Sequence, residues 1–440
     1  MKKAILLCIA PLAMILIATT AAAQQRPPIR QLGAVVAKSA ETFANVTGVR
    51  ALSNGSVLVN DAFGRRVLMF EPQLAKYTVI ADSTSATATA YGNRGGALVA
   101  YRGDSSLFID PASVSMLVID PAGKIIRVMA IPRAEDAIAL GGSTTAYDAS
   151  GRLLYRASPR MQMMQGGPRR IEGAAGGPMF TPPTIPDSAL IFRVDLASRK
   201  VDTVGYIRTP KVKMEMKQDD KGNMSMMSTI NPLPVIDDWA MLPDGSIAFV
   251  RGRDYHVDWV NADGTKVSST KIPFDWQRLT DDDKIAFIDS VKAARERLGA
   301  NAPVPLGGAG AQGGGGGGAP TVQIFMGQGA PGGGPPGGAR MGGPAPQMNF
   351  IPANELPDYK PPFFSNSTRA DTEGNLWIRT IPTSAIAGGP VYDVINRKGE
   401  VVERVQIPVG RNIIGFGAGG AVYLLNRDGA AATVERATIR

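Results

Sequence analysis

The sequence predicts an all-β chain: a six-bladed β-propeller closed by an N-terminal strand, with one inserted helix and a Gly-rich loop. The first ground is a series of short apolar runs of strand length, among them Val57-Leu58-Val59, Val67-Leu68-Met69-Phe70, Leu117-Val118-Ile119, Ile247-Ala248-Phe249-Val250, Leu376-Trp377-Ile378 and Val422-Tyr423-Leu424-Leu425. They are continuous rather than alternating, as expected when neighbouring sheets cover both faces. The second is the punctuation between runs by dipeptides ending in glycine: Asn54-Gly55, Ala122-Gly123, Ser150-Gly151, Asp244-Gly245, Asp263-Gly264, Glu373-Gly374 and Lys398-Gly399. Tight hairpins need positive φ, which glycine adopts without a Cβ clash. The third is a repeat, seen by laying Arg50–Val59, Ala240–Phe249 and Arg369–Ile378 on one another, with shorter echoes around Gly151 and Gly420 and a weaker one around Asp104. Each of the six copies reads as a four-stranded meander, the unit of a propeller blade.

In chain order, residues 1–23 read as a secretory signal, with Lys2 and Lys3 before an apolar run and Ala21-Ala22-Ala23 at the cleavage position. The run is short for a membrane span and contains Pro11. Residues 32–298 hold four blades, at about 46–82, 95–133, 143–210 and 236–274, and a helix against the propeller rim. The helix is expected at about 280–298, where Thr280 and Asp283 suit a capping box and Phe287, Val291, Ala294 and Leu298 share a face. Residues 160–187 and 211–234 are insertions into or after the third blade, and 299–350 is a Gly/Pro-rich segment too poor in apolar residues to fold. Residues 351–440 hold the fifth and sixth blades, at about 366–408 and 411–440. The sixth lacks one strand, which Leu32–Ala37 can supply, joining the termini in one sheet and removing two open edges.

On this repeat and blade count the chain resembles the six-bladed β-propeller superfamily of NHL-repeat and TolB-like proteins. The resemblance covers most of the mature chain and implies the fold. That superfamily includes scaffolds, ligand-binding modules, lactonases, strictosidine-synthase-like enzymes and peptide-amidating lyases, so it implies no single activity.

Counting removes several chemistries. With one Cys and one His in 440 residues, disulfide frameworks, cysteine zinc sites, Cys/His nucleophile pairs and multi-His metal centres are excluded. The signal contains the only cysteine, Cys8, so cleavage near Ala23 leaves a cysteine-free protein suited to an oxidising periplasm or the exterior. The net charge of +9 is spread thinly, without a basic run interleaved with aromatics, so nucleic acid is not an expected partner. A monomer without stable membrane insertion is expected.

The candidate site is the mouth of the central channel. In the repeat frame Arg50 and Arg369 lie five residues before the turn glycine, and Asp61, Asp110, Arg251, Thr380 and Asn426 lie six after the corresponding turn position. They fit a polar ring at one face, and equally solvated strand ends or ion pairs. Asp254, His256 and Asp258 would share one strand face, placing the only imidazole between two carboxylates. Asp237, Asp238 and Trp239 open the fourth blade; the two carboxylates suit a hard metal, although adjacent strand residues point opposite ways. Met214, Met216, Met224, Met226 and Met227 offer soft ligands for Cu(I), or the apolar face of a long hairpin. No catalytic set emerges, so the expected function is an exported, non-catalytic propeller binding a small ligand or protein at the channel mouth. The expectation includes no fixed cofactor, with room for a divalent cation. The alternative is a metal-dependent hydrolase or lyase of the six-bladed propeller type.

Overall fold

The computed structural model describes residues 26–84, 89–142, 144–157, 170–172, 178–180, 186–218, 224–298, 304–305, 321–322, 347–383, 386–428 and 431–439. The signal segment 1–23, most of the insertion 160–187 and the glycine runs at 313–318 and 332–334 lie outside these residues.

The turn glycines set the architecture. Gly55, Gly123, Gly151, Gly245, Gly264, Gly374 and Gly399 all have φ between +81° and +89°. At the first, Gly55 N–H donates to Leu52 O at 3.0 Å and Leu52 N–H to Ser56 O at 2.8 Å. This is a type I turn followed by a left-handed residue, so the glycine is a bulge position rather than the centre of a two-residue loop. The antiparallel meanders between these turns make the chain a β-propeller. One runs Val46–Ala51, Val57–Asp61, Arg66–Phe70, Tyr77–Ala81. Others begin on the inner strands Ala97–Ala100, Ala146–Tyr147, Asp238–Met241, Phe363–Ala370 and Arg411–Gly417.

Apolar clusters fill the space between consecutive sheets. Leu58 and Val67 pack with Phe108 and Leu117, and Leu107 and Met116 with Leu153 and Tyr155. Leu154 and Ile191 meet Trp239 and Phe249; Val250 and Val257 meet Leu376 and Ile395; Trp377 and Val394 meet Val422 and Leu424. Tyr423 and Val434, near the C-terminus, pack with Val57 and Leu68, near the N-terminus. Each such fully buried side chain stabilises the fold by about 1.5–3 kcal/mol relative to exposure.

The N-terminal segment adds strands to two of these sheets. Val35–Lys38 pairs antiparallel with Ala431–Thr438, and Ile29–Gln31 pairs parallel with Val401–Gln406. Just before them, Arg26 reaches Asp275 at 2.7 Å and the fully buried Asp393 at 3.3 Å; Arg404 lies 3.3 Å from the same Asp393.

The inserted helix spans Asp281–Leu298, and its start is built as expected. Thr280 N–H and Oγ1–H donate to Asp283 Oδ2 at 2.9 and 2.8 Å, while Asp283 N–H returns to Thr280 Oγ1 at 3.2 Å. The helix meets a blade through Ile288 and Phe287, which cluster with Phe364 of Phe363–Ala370. Its Val291 and Phe287 pack with Val212, Ile230 and Phe350 of a separate three-stranded sheet, Val212–Gln218, Met224–Ile230 and Gln347–Phe350. Sequence periodicity shows the apolar face but not which partner covers it. In that sheet the methionine-rich strands pair as a hairpin, with Met216 opposite Met226; the side chains at 216–226 lie outside the described residues, so the Cu(I) reading is not addressed. Among the described residues no helix is long and apolar enough to cross a membrane.

Candidate functional site

Strands of three meanders converge where Arg152–Arg156 ends, Asp238–Met241 begins and Phe363–Ala370 enters. The last of these is irregular. Its register with Leu376–Thr380 shifts between Phe363 and Thr368, and Asn366 takes φ +60°, a left-handed conformation that non-glycine residues hold only under constraint. The bulge frees two backbone donors. Ser367 N–H and Thr368 N–H donate to Asp238 Oδ2 at 2.8 and 2.9 Å. Burial nevertheless outweighs these donors and pushes the Asp238 carboxyl above the usual range.

Arg156 lines the same recess. Its guanidinium makes no hydrogen bond or ion pair among the described residues; burial lowers its pKa and the charge of Asp238 opposes that shift. Trp239, 3% exposed, also lines this recess, and its indole N–H has no acceptor among the described residues. The recess measures about 10 Å³, room for about one water. It adjoins a larger cavity of about 210 Å³ through Asn366, which lines both. Arg369, Arg379 and Arg427 line the larger cavity together with Asn412 and Tyr392, and among the described residues no carboxylate does.

The expected polar ring does not form. Asp61 and Asp110 are wholly buried and shape turns. Asp61 accepts from Asn45 N–H, Gly64 N–H and Arg66 Nε–H, and Asp110 from Gly92 N–H, Ala112 N–H and Ser113 Oγ–H. Thr380 Oγ1 donates to Val391 O, and Asn426 Nδ2 to Glu435 Oε1. These positions serve the hairpin turn at the end of the second strand, where backbone N–H groups need acceptors. Arg251 replaces the acid there and recruits two: its guanidinium lies 2.9 Å from Asp237 and 2.7 Å from Asp258. Arg50 pairs with Asp104 at 3.2 Å. Of the frame residues, Arg369 reaches the mouth; the opening of the fourth blade contributes Asp238 and Trp239.

The histidine cluster does assemble. His256 Nδ1 lies 2.7 Å from Asp254 Oδ1 and Nε2 3.2 Å from Asp258 Oδ1. Asp258 also accepts from Ser268 Oγ–H, at 2.5 Å. The cluster braces the third strand of its meander, with both imidazole nitrogens turned toward its own carboxylates.

Asp237 and Asp238 diverge, as alternation requires: Asp237 serves Arg251 and Gly252 N–H, and Asp238 serves Ser367 and Thr368. A hard cation needs several oxygen ligands. Among the described residues no three His, Cys, Asp or Glu side chains converge on one point, and the mouth is lined by arginines. The residues present do not fit a divalent ion there.

No family model matches the sequence, and no curated protein does. Solved structures do resemble it. A regucalcin from Agrobacterium tumefaciens, described as a calcium-binding protein, is 12% identical over 94% of this chain and 98% of its own, with a TM-score of 0.40. A gluconolactonase from Xanthomonas campestris is 9% identical over 94% and 99%, with a TM-score of 0.38. A virginiamycin B lyase from Staphylococcus aureus is 9% identical over 90% and 96%, also with a TM-score of 0.38. The expected non-catalytic binding propeller is not supported by these neighbours, two of which are enzymes by name. At these identities the likeness is one of fold.

Proposed function

We propose that the chain is a propeller hydrolase that cleaves an ester or lactone at the mouth formed by its inner strands. The observation that carries the reading is the recess, large enough for about one water, in which Arg156, whose guanidinium has no partner among the described residues, lies with a carboxyl of raised pKa, Asp238. A carboxylate whose basicity is raised by burial is suited to general-base work near neutral pH. Asp238 takes a proton from the recess water as the water oxygen bonds to the acyl carbon. The carbonyl electron pair moves to oxygen, where Arg156 and the Trp239 N–H stabilise the charge. Collapse breaks the acyl–oxygen bond, and the departing alkoxide regains the proton from Asp238. The chain's own residues supply each of these steps, and none is routed through a metal.

The same proposal takes the meanders as six NHL- or TolB-like blades, with Val35–Lys38 closing the ring. The pairing of that strand with Ala431–Thr438 and the apolar cluster joining first and last sheets support it. Export, with removal of residues 1–23, belongs to this proposal too.

Hydrolysis of nitrophenyl esters and of simple lactones by purified wild-type protein tests the activity. Arg156→Ala should lower kcat by about 10²–10³, the cost of one oxyanion donor, with melting little changed. No turnover by the wild-type protein, or equal turnover by the variant, would remove the hydrolase reading.

A further inference from the structure

Each meander runs back and forth between two ends. The recess and the 210 Å³ cavity lie at the end where first strands begin and second strands finish: Arg156 closes Arg152–Arg156, Asp238 opens Asp238–Met241, and Val46 opens Val46–Ala51. The turns at Gly55, Gly123, Gly245 and Gly374 lie at the other end. Outside the strands and the helix Asp281–Leu298, the large apolar side chains exposed among the described residues are Phe63, Val114, Ile138, Trp276, Tyr359 and Val409. All of them stand at the mouth end. Phe63 and Val114 join a second strand to a third, and the others lie between the last strand of one meander and the first of the next. The fold does not account for them. Phe63 is 75% exposed, and Val114 holds φ +54°, a left-handed conformation costly for a β-branched residue, while staying exposed. Trp276 is fixed in place by edge contacts with Phe274 at 5.3 Å and Tyr359 at 6.5 Å.

The same end carries positive charge. Arg94, Arg208, Arg253 and Lys271 are exposed there without an ion pair among the described residues, with Asp187 set against them, while Glu135, Asp275 and Asp358 are each held by a base. The chain's net charge of +9 has the same sign. A protein partner calls for apolar side chains massed in one desolvated centre, and the centre of this end is the polar mouth. Single apolar side chains spaced among bases suit a lipid interface instead, where aromatic rings sit at headgroup depth and arginine and lysine meet phosphates. We propose that this end of the propeller docks on an anionic lipid surface, with Phe63, Trp276 and Tyr359 entering the headgroup layer around the mouth. The docking is peripheral, needs no membrane span, and does not depend on the chemistry of the recess.

Co-sedimentation compares vesicles of phosphatidylcholine with vesicles that also contain phosphatidylglycerol. The protein used is the processed one, because the apolar run within residues 1–23 would partition into lipid by itself; the strands begin after it, at Ile29. Binding should favour the anionic vesicles and be eroded by salt. Of the four tryptophans, Trp239, Trp259 and Trp377 are at most 3% exposed, so a blue shift in emission and quenching by brominated lipid report Trp276. Phe63→Ser should weaken binding about tenfold, and Arg253→Gln and Lys271→Gln about fivefold each, the worth of one base near an anionic surface. Two control variants at exposed positions, Val79→Ser on an outer strand and Lys398→Gln at the other end, should bind like wild type. No binding to either vesicle would overturn the proposal, and so would equal losses in the mouth-end and control variants, the mark of binding by scattered charge. Self-association abolished by Phe63→Ser, without vesicle binding, would overturn it in favour of a second copy of the chain on this face.

Discussion

Deleting residues 26–40 should abolish cooperative unfolding. The deletion removes Val35–Lys38 from the edge of Ala431–Thr438 and Ile29–Gln31 from the edge of Val401–Gln406, exposing two rows of unpaired backbone groups. It removes Ser39, whose N–H donates to Val434 O at 2.8 Å and whose Oγ accepts from Val434 N–H at 3.0 Å. Arg26 goes as well, leaving Asp393, fully buried, with Arg404 as its remaining guanidinium. Breaking one buried ion pair costs about 3–5 kcal/mol by itself. Against a total stability of about 5–15 kcal/mol, the sum of these losses should leave no stable fold. Calorimetry of the deletion variant checks this: a transition at the wild-type temperature with the wild-type enthalpy would show that the fold does not depend on its two N-terminal strands.

Asp238→Asn should separate stability from activity. The amide oxygen can still accept from Ser367 N–H and Thr368 N–H, but it cannot take a proton from water. Loss of a general base costs about 10²–10⁴ in rate. Stability should move the other way. Burial raises the Asp238 pKa in the folded state, so its contribution is fully present below the unfolded value and is lost as pH rises through the folded one. Near neutral pH the native carboxyl is therefore a burden, and its neutral isostere should stabilise the fold by about 1–4 kcal/mol. The gain should shrink on acidification and vanish below about pH 4, where both states of the wild-type protein carry the proton. Thermal melts of both proteins from pH 4 to 8, beside ester turnover, read both effects. A variant less stable than wild type at pH 7, or equally active, would contradict this account of the carboxyl.

The repeat was legible because its punctuation is local. A glycine with positive φ is demanded by two or three neighbouring residues, so each predicted turn glycine could be found by spacing, and with it the meander and the strand missing from the last sheet. The site was legible only in part. The sixth position after the turn glycine drew attention because it is often acidic, yet Asp61 and Asp110 spend their oxygens on turn amides. Alternation turns the fifth position the other way. Arg156 follows Gly151 by five residues and Arg379 follows Gly374 by five; Arg427 follows Gly420 by seven and shares their parity. Both cavities take arginines from these odd offsets. Asn366 and the raised pKa of Asp238 had no sequence signal, because both arise from a register shift where Phe363–Ala370 passes another sheet.

The pairing of Lys38 with Glu435 places nearly the whole chain between two residues that face each other across one ladder. During synthesis the first strand must therefore wait, unpaired, until the last one has emerged. Earlier sheets can accumulate in order from local contacts, but this one is the pairing of highest contact order and is expected to form last and slowly. Until then the last sheet keeps a bare edge, a state in which a second copy could supply the absent strand.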